Sequence, residues 1–232
     1  MKGVKNAIEK SEIQMTYEQI KQDEAVKVYI AQADASLDAL GFTEHSFAHV
    51  TRVAEVAGDI LKTLGYPERT VELAKIAGYL HDIGNVVNRV DHSQSGAVMA
   101  FRILDRMNFP PEEIAAIVTA IGNHDEGTGV PVSALAAALI LADKSDVRRS
   151  RVRNKEDIAF DIHDRVNYSV TDCHIEFDDA KTAIILKLTV DTQFGSVMEY
   201  LEIFMKRMLL CRKAAEKLGL TFHLVINNQQ LV

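Results

Sequence analysis

Cysteine is scarce: the 232 residues hold only Cys173 and Cys211, far apart and in no paired motif. That excludes a disulfide framework and a thiolate zinc site, and it fits a reducing compartment. No apolar run approaches the roughly 20 residues that span a bilayer. The opening MKGVKNAIEKSEIQ lacks the apolar core of a signal peptide, so the expected location is the cytoplasm with no membrane partner. Positive charge is also short, with 26 Lys and Arg against 33 Asp and Glu, a formal net charge of −7. This weighs against general nucleic-acid binding, which usually needs a basic face. Internal repeats, low-complexity tracts and Pro/Gly-rich linkers are missing. The four prolines fall at three places, Pro67, Pro110/Pro111 and Pro131, each just before or at an apparent helix start. What remains is an ordinary globular composition, 47% hydrophobic and 25% charged, enough for one large domain or one domain with a small appendage.

The pattern reads as helical from Tyr17 to Leu40, closed by Gly41, and again from about Glu44 to Leu64, closed by Gly65. In the second, Phe47, Val50, Ala54, Ala57, Leu61 and Leu64 follow the three-four spacing of a buried face, and His49 lies beside it. A third helix runs from about Glu68 to Ile83, closed by Gly84. Asp91, with Gln94 placed for a capping box, opens a fourth that reaches about Met107. A fifth runs from the prolines to about Asn123. The sixth, about Val132 to Val147, contains ALAAALILAD, apolar on nearly all sides, and is expected at the centre. Thereafter HIEF, an Asp178-Asp179 turn and the alternating TAIILKLTV predict two strands, followed by a helix over about Val197 to Leu218 and a strand FHLVI. The expected fold is therefore mainly α: a helical domain over 1–160, with its core at about 44–153, and a β-β-α-β α+β appendage over 161–232. The junction is expected near residues 155–170, and the appendage is a candidate for dimerisation or regulation.

Five of the eight histidines lie between positions 45 and 124. His81-Asp82 falls in the last turn of its helix, where a carboxylate meets the negative end of the helix dipole and costs ~0.3–1 kcal/mol unless offset. Asp143 ends an apolar run, where an unpaired carboxylate carries a large desolvation cost. A bound divalent cation resolves both, and imidazole with carboxylate suits Zn, Fe, Mn, Ni or Co better than Ca or Cu(I). Taken singly, a His on an apolar face is usually a hydrogen-bonded core residue, and an Asp at a helix end is usually solvated. Several on different helices are harder to read as coincidence.

The segments HVTRVAEVA, LAKIAGYLHDIG, HSQSGA, IGNHDEG and LILADKSD, in that order, resemble the motifs of the HD superfamily of metal-dependent phosphohydrolases, and the resemblance covers about residues 45–153. It implies an HD-domain helical bundle. It implies too that His49, His81, Asp82 and Asp143 ligate one metal, and that His92 and His124 complete the set found in members with two. Asp82 would then bridge the ions. The resemblance to the HD-GYP cyclic-dinucleotide phosphodiesterases is only partial, since NVVNRVD follows the HD motif and no Gly-Tyr-Pro follows NHDEGTG. The implied reaction is metal-assisted hydrolysis of a phosphoester in a nucleotide or other small phosphorylated metabolite, with one or two divalent transition-metal ions as cofactor and Asp82 and Lys144 at the reacting centre.

Lys144 and the arginines Arg148, Arg149, Arg151 and Arg153 are candidate phosphate ligands, because guanidinium forks match phosphate oxygens; a helix end stabilised by solvated cations is the equal alternative. His45, one turn before His49, is expected at the entrance, and Arg52 is a candidate partner of an acidic ligand. Asp125 and Glu126 are candidate bases or plain loop residues. His163, His174 and His223 lie outside the motifs and are expected to be structural or exposed. Two rival functions use the same residues: a di-iron oxygenase, and a metal-stabilised binding or regulatory protein that dimerises through its C-terminal part.

Overall fold

The computed structural model describes residues 15–153 and 161–232. The opening polar stretch, and part of the junction expected near residues 155–170, lie outside the described residues. The segment read as one helix to Leu40 is two, α1 (Tyr17–Gln22) and α2 (Glu24–Ala39). The break falls at Asp23, whose extended backbone ends α1 and whose carboxylate accepts the Val26 amide at 3.0 Å. An aspartate is stabilising as an N-cap and unfavourable inside a helix, so capping overrides the helical pattern here.

Helix α3 (Phe47–Thr63) starts after the expected Glu44 because Ser46 takes the cap and accepts the Ala48 amide. Its apolar face is buried as expected and carries His49 with it, while Phe47 stays exposed. Gly41 and Gly65, at φ +79 and +77, end α2 and α3 in the left-handed conformation that glycine adopts without penalty. Gly84 does something else. Helix α4 (Glu68–Leu80) ends before the expected Ile83, so His81 and Asp82 sit in the turn beyond it, ahead of a 3₁₀ turn at Ile83–Val86. A Cβ on Gly84 would lie 2.0 Å from the His92 carbonyl oxygen and 2.4 Å from the Gly96 amide nitrogen. Glycine there lets α5 (His92–Arg106) seat directly against the His81–Asp82 turn.

Asp91 precedes α5 but forms no capping box: its backbone is left-handed, φ 57, rather than extended, and its side chain caps nothing. Gln94 donates instead to the Gly122 carbonyl at 2.7 Å, tying α5 to α6 (Pro111–Gly122). Helix α7 (Ala134–Lys144), capped by Ser133, is buried on all sides from Leu135 to Ala142, as its composition predicts.

The C-terminal part begins with α8 (Ile162–Ser169), a short half-polar helix that periodicity did not reveal, capped by Asp161. Strands β1 (Val170–Phe177) and β2 (Ala183–Val190) pair antiparallel, and α9 (Val197–Lys217) crosses over to β3 (Thr221–Ile226), which lies parallel to β2. A two-residue β4 (Gln229–Gln230) completes a sheet of order β1-β2-β3-β4. The β-β-α-β reading thus holds, with α8 and β4 added. Helix α9 packs against α7, and one cluster of buried apolar residues runs from Tyr17 through α7 to Ile226.

Candidate metal centre

Five helices bring six expected ligands together. His49 lies on α3, His81 and Asp82 just past α4, His92 at the start of α5, His124 just past α6, and Asp143 near the end of α7. The four imidazoles and Asp82 are between 0% and 4% exposed.

Each imidazole uses its Nδ1 outward. His81 Nδ1 donates to the Gly78 carbonyl at 2.7 Å, His92 to the Arg89 carbonyl at 3.1 Å and His124 to the Ile121 carbonyl at 2.6 Å. His49 Nδ1 donates to Asp146 Oδ2 at 2.8 Å. A carbonyl or ionised carboxylate only accepts, so each Nδ1 carries a proton, and each Nε2 offers a lone pair when its ring is neutral. The Nε2 atoms face one another in pairs: His49 Nε2 is 3.3 Å from His81 Nε2, and His92 Nε2 is 3.2 Å from His124 Nε2. Asp82 stands between the pairs. Its Oδ2 is 3.5 Å from His49 Nε2 and 3.3 Å from His81 Nε2, while its Oδ1 is 3.5 Å from His92 Nε2 and 4.0 Å from His124 Nε2. Asp143 Oδ1 adds a further oxygen 3.5 Å from His49 Nε2 and 3.7 Å from His81 Nε2. Three groups of ligand atoms lie mutually within 4.8 Å: His49 with His81 and Asp82, His81 with His124 and Asp143, and Asp82 with His92 and His124. Asn85 Nδ2 donates to Asp82 Oδ1 at 3.1 Å, and the inward cluster of imidazole nitrogens and anionic oxygens fits divalent cations. The outward hydrogen bonds fix ring orientation as in metal-ligating histidines.

The electrostatics carry the same demand for positive charge. Burial alone would lower the basicity of His81, but Asp82 and Asp143 outweigh it and raise its pKa to about 10. His49 is raised too, against burial and the charge of Arg151, by Asp143, Asp146 and Asp82. Burial and then the charge of His81 push His124 down to about 3. Burial opposes ionisation of Asp82 and Asp143, yet His81 holds the first, and Lys144 with His49 and His81 the second, well below the usual carboxylate range. Protons on His49 and His81 compete with a metal ion for the same place.

Sequence reasoning missed Asp146, which orients His49. Its one available signal was its position three residues after Asp143 in LILADKSD, on the same side of a helical turn. Asp146 explains much of the arginine cluster. Arg148 Nε donates to its Oδ1 at 2.8 Å, Arg151 Nη1 lies 3.7 Å from its Oδ2, and Arg52 Nε lies 3.2 Å from its Oδ1. Arg148 also pairs with Glu44 at 3.3 Å, Arg149 with Asp191 at 3.1 Å and with the Tyr168 carbonyl, and Arg153 with Asp34. Of the expected phosphate ligands, Arg148 and Arg149 do not line the cavity at the centre, and their guanidinium groups are held by the protein's own carboxylates. Arg151 and Lys144 do line it.

That cavity, about 400 Å³, opens onto Asp82, His92, His124 and Asp143. Lys144, 5% exposed, pairs with Asp143 Oδ2 at 2.7 Å and Glu126 Oε2 at 2.6 Å, and Glu126 Oε1 accepts Arg207 Nε of α9 at 3.0 Å. Burial would raise the Glu126 carboxyl, but Lys144 and Arg207 hold it ionised, which removes it as a base near neutrality. Arg207, Arg89, Phe42 and Phe204 also line the cavity and were missed; α9 is far away in sequence, and Arg89 and Phe42 sit in loops. His45 lines the cavity, its Nδ1 on the Thr43 carbonyl at 2.6 Å and its ring edge-on to His49. Asp125 only accepts the Gly127 amide in a turn. His163 is exposed at the cavity mouth, His174 pairs with Asp172 and Glu176 on β1, and His223 reaches the Val232 carbonyl.

Residues 46–168 match the profile of the HD domain family. The chain is 27% identical over 162 residues to an uncharacterized protein of Methanocaldococcus jannaschii, covering 60% of this chain and 62% of that protein. It is 36% identical over 107 residues to a ribonuclease Y of Lawsonia intracellularis, covering 45% of this chain and 18% of that enzyme. It thus spans less than two thirds of the length of either relative. The crystal structure of a predicted HD superfamily hydrolase from an uncultured Thermotogales bacterium is similar at a TM-score of 0.43 and 28% identity, over 53% of this chain and 67% of that one. Among the described residues, no helix is long and apolar enough to cross a membrane.

Proposed function

Because the chain belongs to the HD domain family, matched over residues 46–168, we propose that it is a metal-dependent phosphohydrolase acting on a nucleotide or other small phosphorylated metabolite. The observation that carries this reading is the division of Asp82, whose two oxygens face different imidazole pairs. His49, His81 and Asp143 with Asp82 Oδ2 would hold one ion, and His92 and His124 with Asp82 Oδ1 a second. Bound ions supply Lewis acidity toward a phosphoryl oxygen and lower the pKa of water toward neutrality. The protein's own groups do the rest. Asp82 sets the two half-sites against each other. Asp146 and the carbonyls of Gly78, Arg89 and Ile121 keep each Nε2 aimed inward. Lys144, fixed by Asp143 and Glu126, presents an ammonium to the cavity where phosphate charge develops. Phe204 and Arg207 on α9 give the C-terminal part a share of the cavity wall.

A small substrate is favoured over a polymer. The cavity of about 400 Å³ suits one, small-ligand sites running ~300–1,000 Å³. The net charge of −7 works against a polyanion such as the RNA implied by the ribonuclease's name. The test is phosphate or alcohol release from a panel of phosphomonoesters and diesters by protein loaded with Mn, Fe, Co, Ni or Zn. Metal-dependent cleavage of at least one class, lost in Asp82→Ala, is expected. A fully loaded protein that cleaves none of them overturns the reading.

A further inference from the structure

We propose that Arg89, held by the ring of Phe42, is the anchor for the substrate's phosphate at the His92 end of the cavity. The inference rests on the hydrolase reading for what the phosphate is attached to, but not for the anion site itself.

Eleven described arginines, Arg52, Arg69, Arg102, Arg106, Arg148, Arg149, Arg151, Arg153, Arg165, Arg207 and Arg212, each have a carboxylate oxygen within 4.0 Å. Arg89 has none among the described residues. The residue is half-buried, and its guanidinium makes long contacts, 3.5 Å from Asn85 Oδ1 and 3.4 Å from His92 Nε2, with the Phe42 ring centroid 5.6 Å from its central carbon. Both residues line the cavity. The other arginines and the lysine of the cavity wall each already have a carboxylate partner, Lys144 in Asp143 and Glu126, Arg207 in Glu126, and Arg151 in Asp146. A half-buried arginine with no carboxylate partner among the described residues is a group awaiting an anion.

Its position says where that anion sits. The Arg89 carbonyl accepts His92 Nδ1 at 3.1 Å, and its side chain returns to the Nε2 side of the same ring. A cation that takes the His92 lone pair removes that acceptor from Arg89 and repels the guanidinium. The partner that satisfies both is an oxyanion lying between them. A phosphate presents two oxygens to the planar fork of a guanidinium, and the Phe42 face fixes the plane of that fork.

The test is calorimetric titration of inorganic phosphate into the full-length, metal-loaded protein, with metal counted in each sample. Arg89→Ala is expected to weaken phosphate binding by about tenfold or more, as for loss of a charge-assisted bidentate contact, with metal content unchanged. Arg89→Lys keeps the charge but not the fork and is expected between the two. Phe42→Leu is expected to weaken binding less than Arg89→Ala, and Arg149→Ala not at all. Phosphate binding in Arg89→Ala equal to that of the unmodified protein overturns the proposal. So does loss of metal in that variant, which would make Arg89 a support for His92 rather than an anchor. Arg89-dependent phosphate binding in a protein that cleaves no phosphoester leaves the anchor standing and removes the hydrolase reading.

Discussion

Two dense clusters of ionisable side chains meet at His49, and they are built on opposite terms. Around Asp146, charges are matched within the protein: Arg148, Arg151 and Arg52 surround one buried carboxylate, and Glu44 closes on Arg148. Around Asp82, four Nε2 atoms and the oxygens of two carboxylates turn toward a common space. The first cluster is complete as folded and acts as a brace that orients His49. The second is complete only with added positive charge. Abundance of charge does not separate them; balance of donors and acceptors does.

The comparison breaks most decisively at the ligands. His92→Ala or His124→Ala is expected to remove one of two ions and leave the other, with turnover falling beyond the ~10–100-fold typical of losing an outer partner. Unchanged metal content in both variants, measured by elemental analysis, would return the centre to a single ion. Next comes the link between the clusters. Asp146→Asn keeps an acceptor for His49 but strips the charge that holds three arginines, so metal affinity is expected to drop by ~10–100-fold, together with a lower Tm. A chelator competition that reads full affinity would detach the brace from the site.

The proton competition sharpens the contrast further. Metal binding needs neutral His81 and His49, and His81 titrates at about 10 in the metal-free centre. Below that value His81 must lose a proton to bind, so apparent affinity rises with pH by about tenfold per unit for that proton, while His124, pushed down to about 3, releases none. Metal titrations between pH 6 and 9 that show no slope, and no proton release, contradict these charge states. The smallest effect is expected on the matched side. Arg148→Ala is expected to lower stability by about 1 kcal/mol, roughly 2–4 °C in Tm, with metal content and KM unchanged. A raised KM would return Arg148 to phosphate binding.

The six candidate ligands were legible in the sequence because each belongs to a short motif that resembles those of the HD superfamily, while dipole and desolvation arguments by themselves reached only Asp82 and Asp143. The helical body and the alternating strands were legible for the same reason: periodicity is local. What was not legible depends on distance in the chain. The arginines from Arg148 to Arg153 look alike as a run, and only the positions of Glu44, Asp146, Asp191 and Asp34 decide which are already paired. Arg207 reaches the cavity because α9 packs on α7, which no local pattern announces. Gly84 read as a helix terminator and proves to be a contact point, because the close approach of α5 is a tertiary fact. Asp23 and Asp91 show both outcomes of capping signals, one breaking a predicted helix and one forming no cap because its backbone is left-handed.

The central claim is that Asp82 divides its oxygens between two ions. It is tested most directly by counting metal in the purified chain after reconstitution with excess Mn, Fe, Co, Ni or Zn and removal of loosely held ions. Two ions per chain, falling to none in Asp82→Ala, is the predicted result. One ion in the unmodified protein contradicts the divided role of Asp82, and none contradicts the metal centre itself.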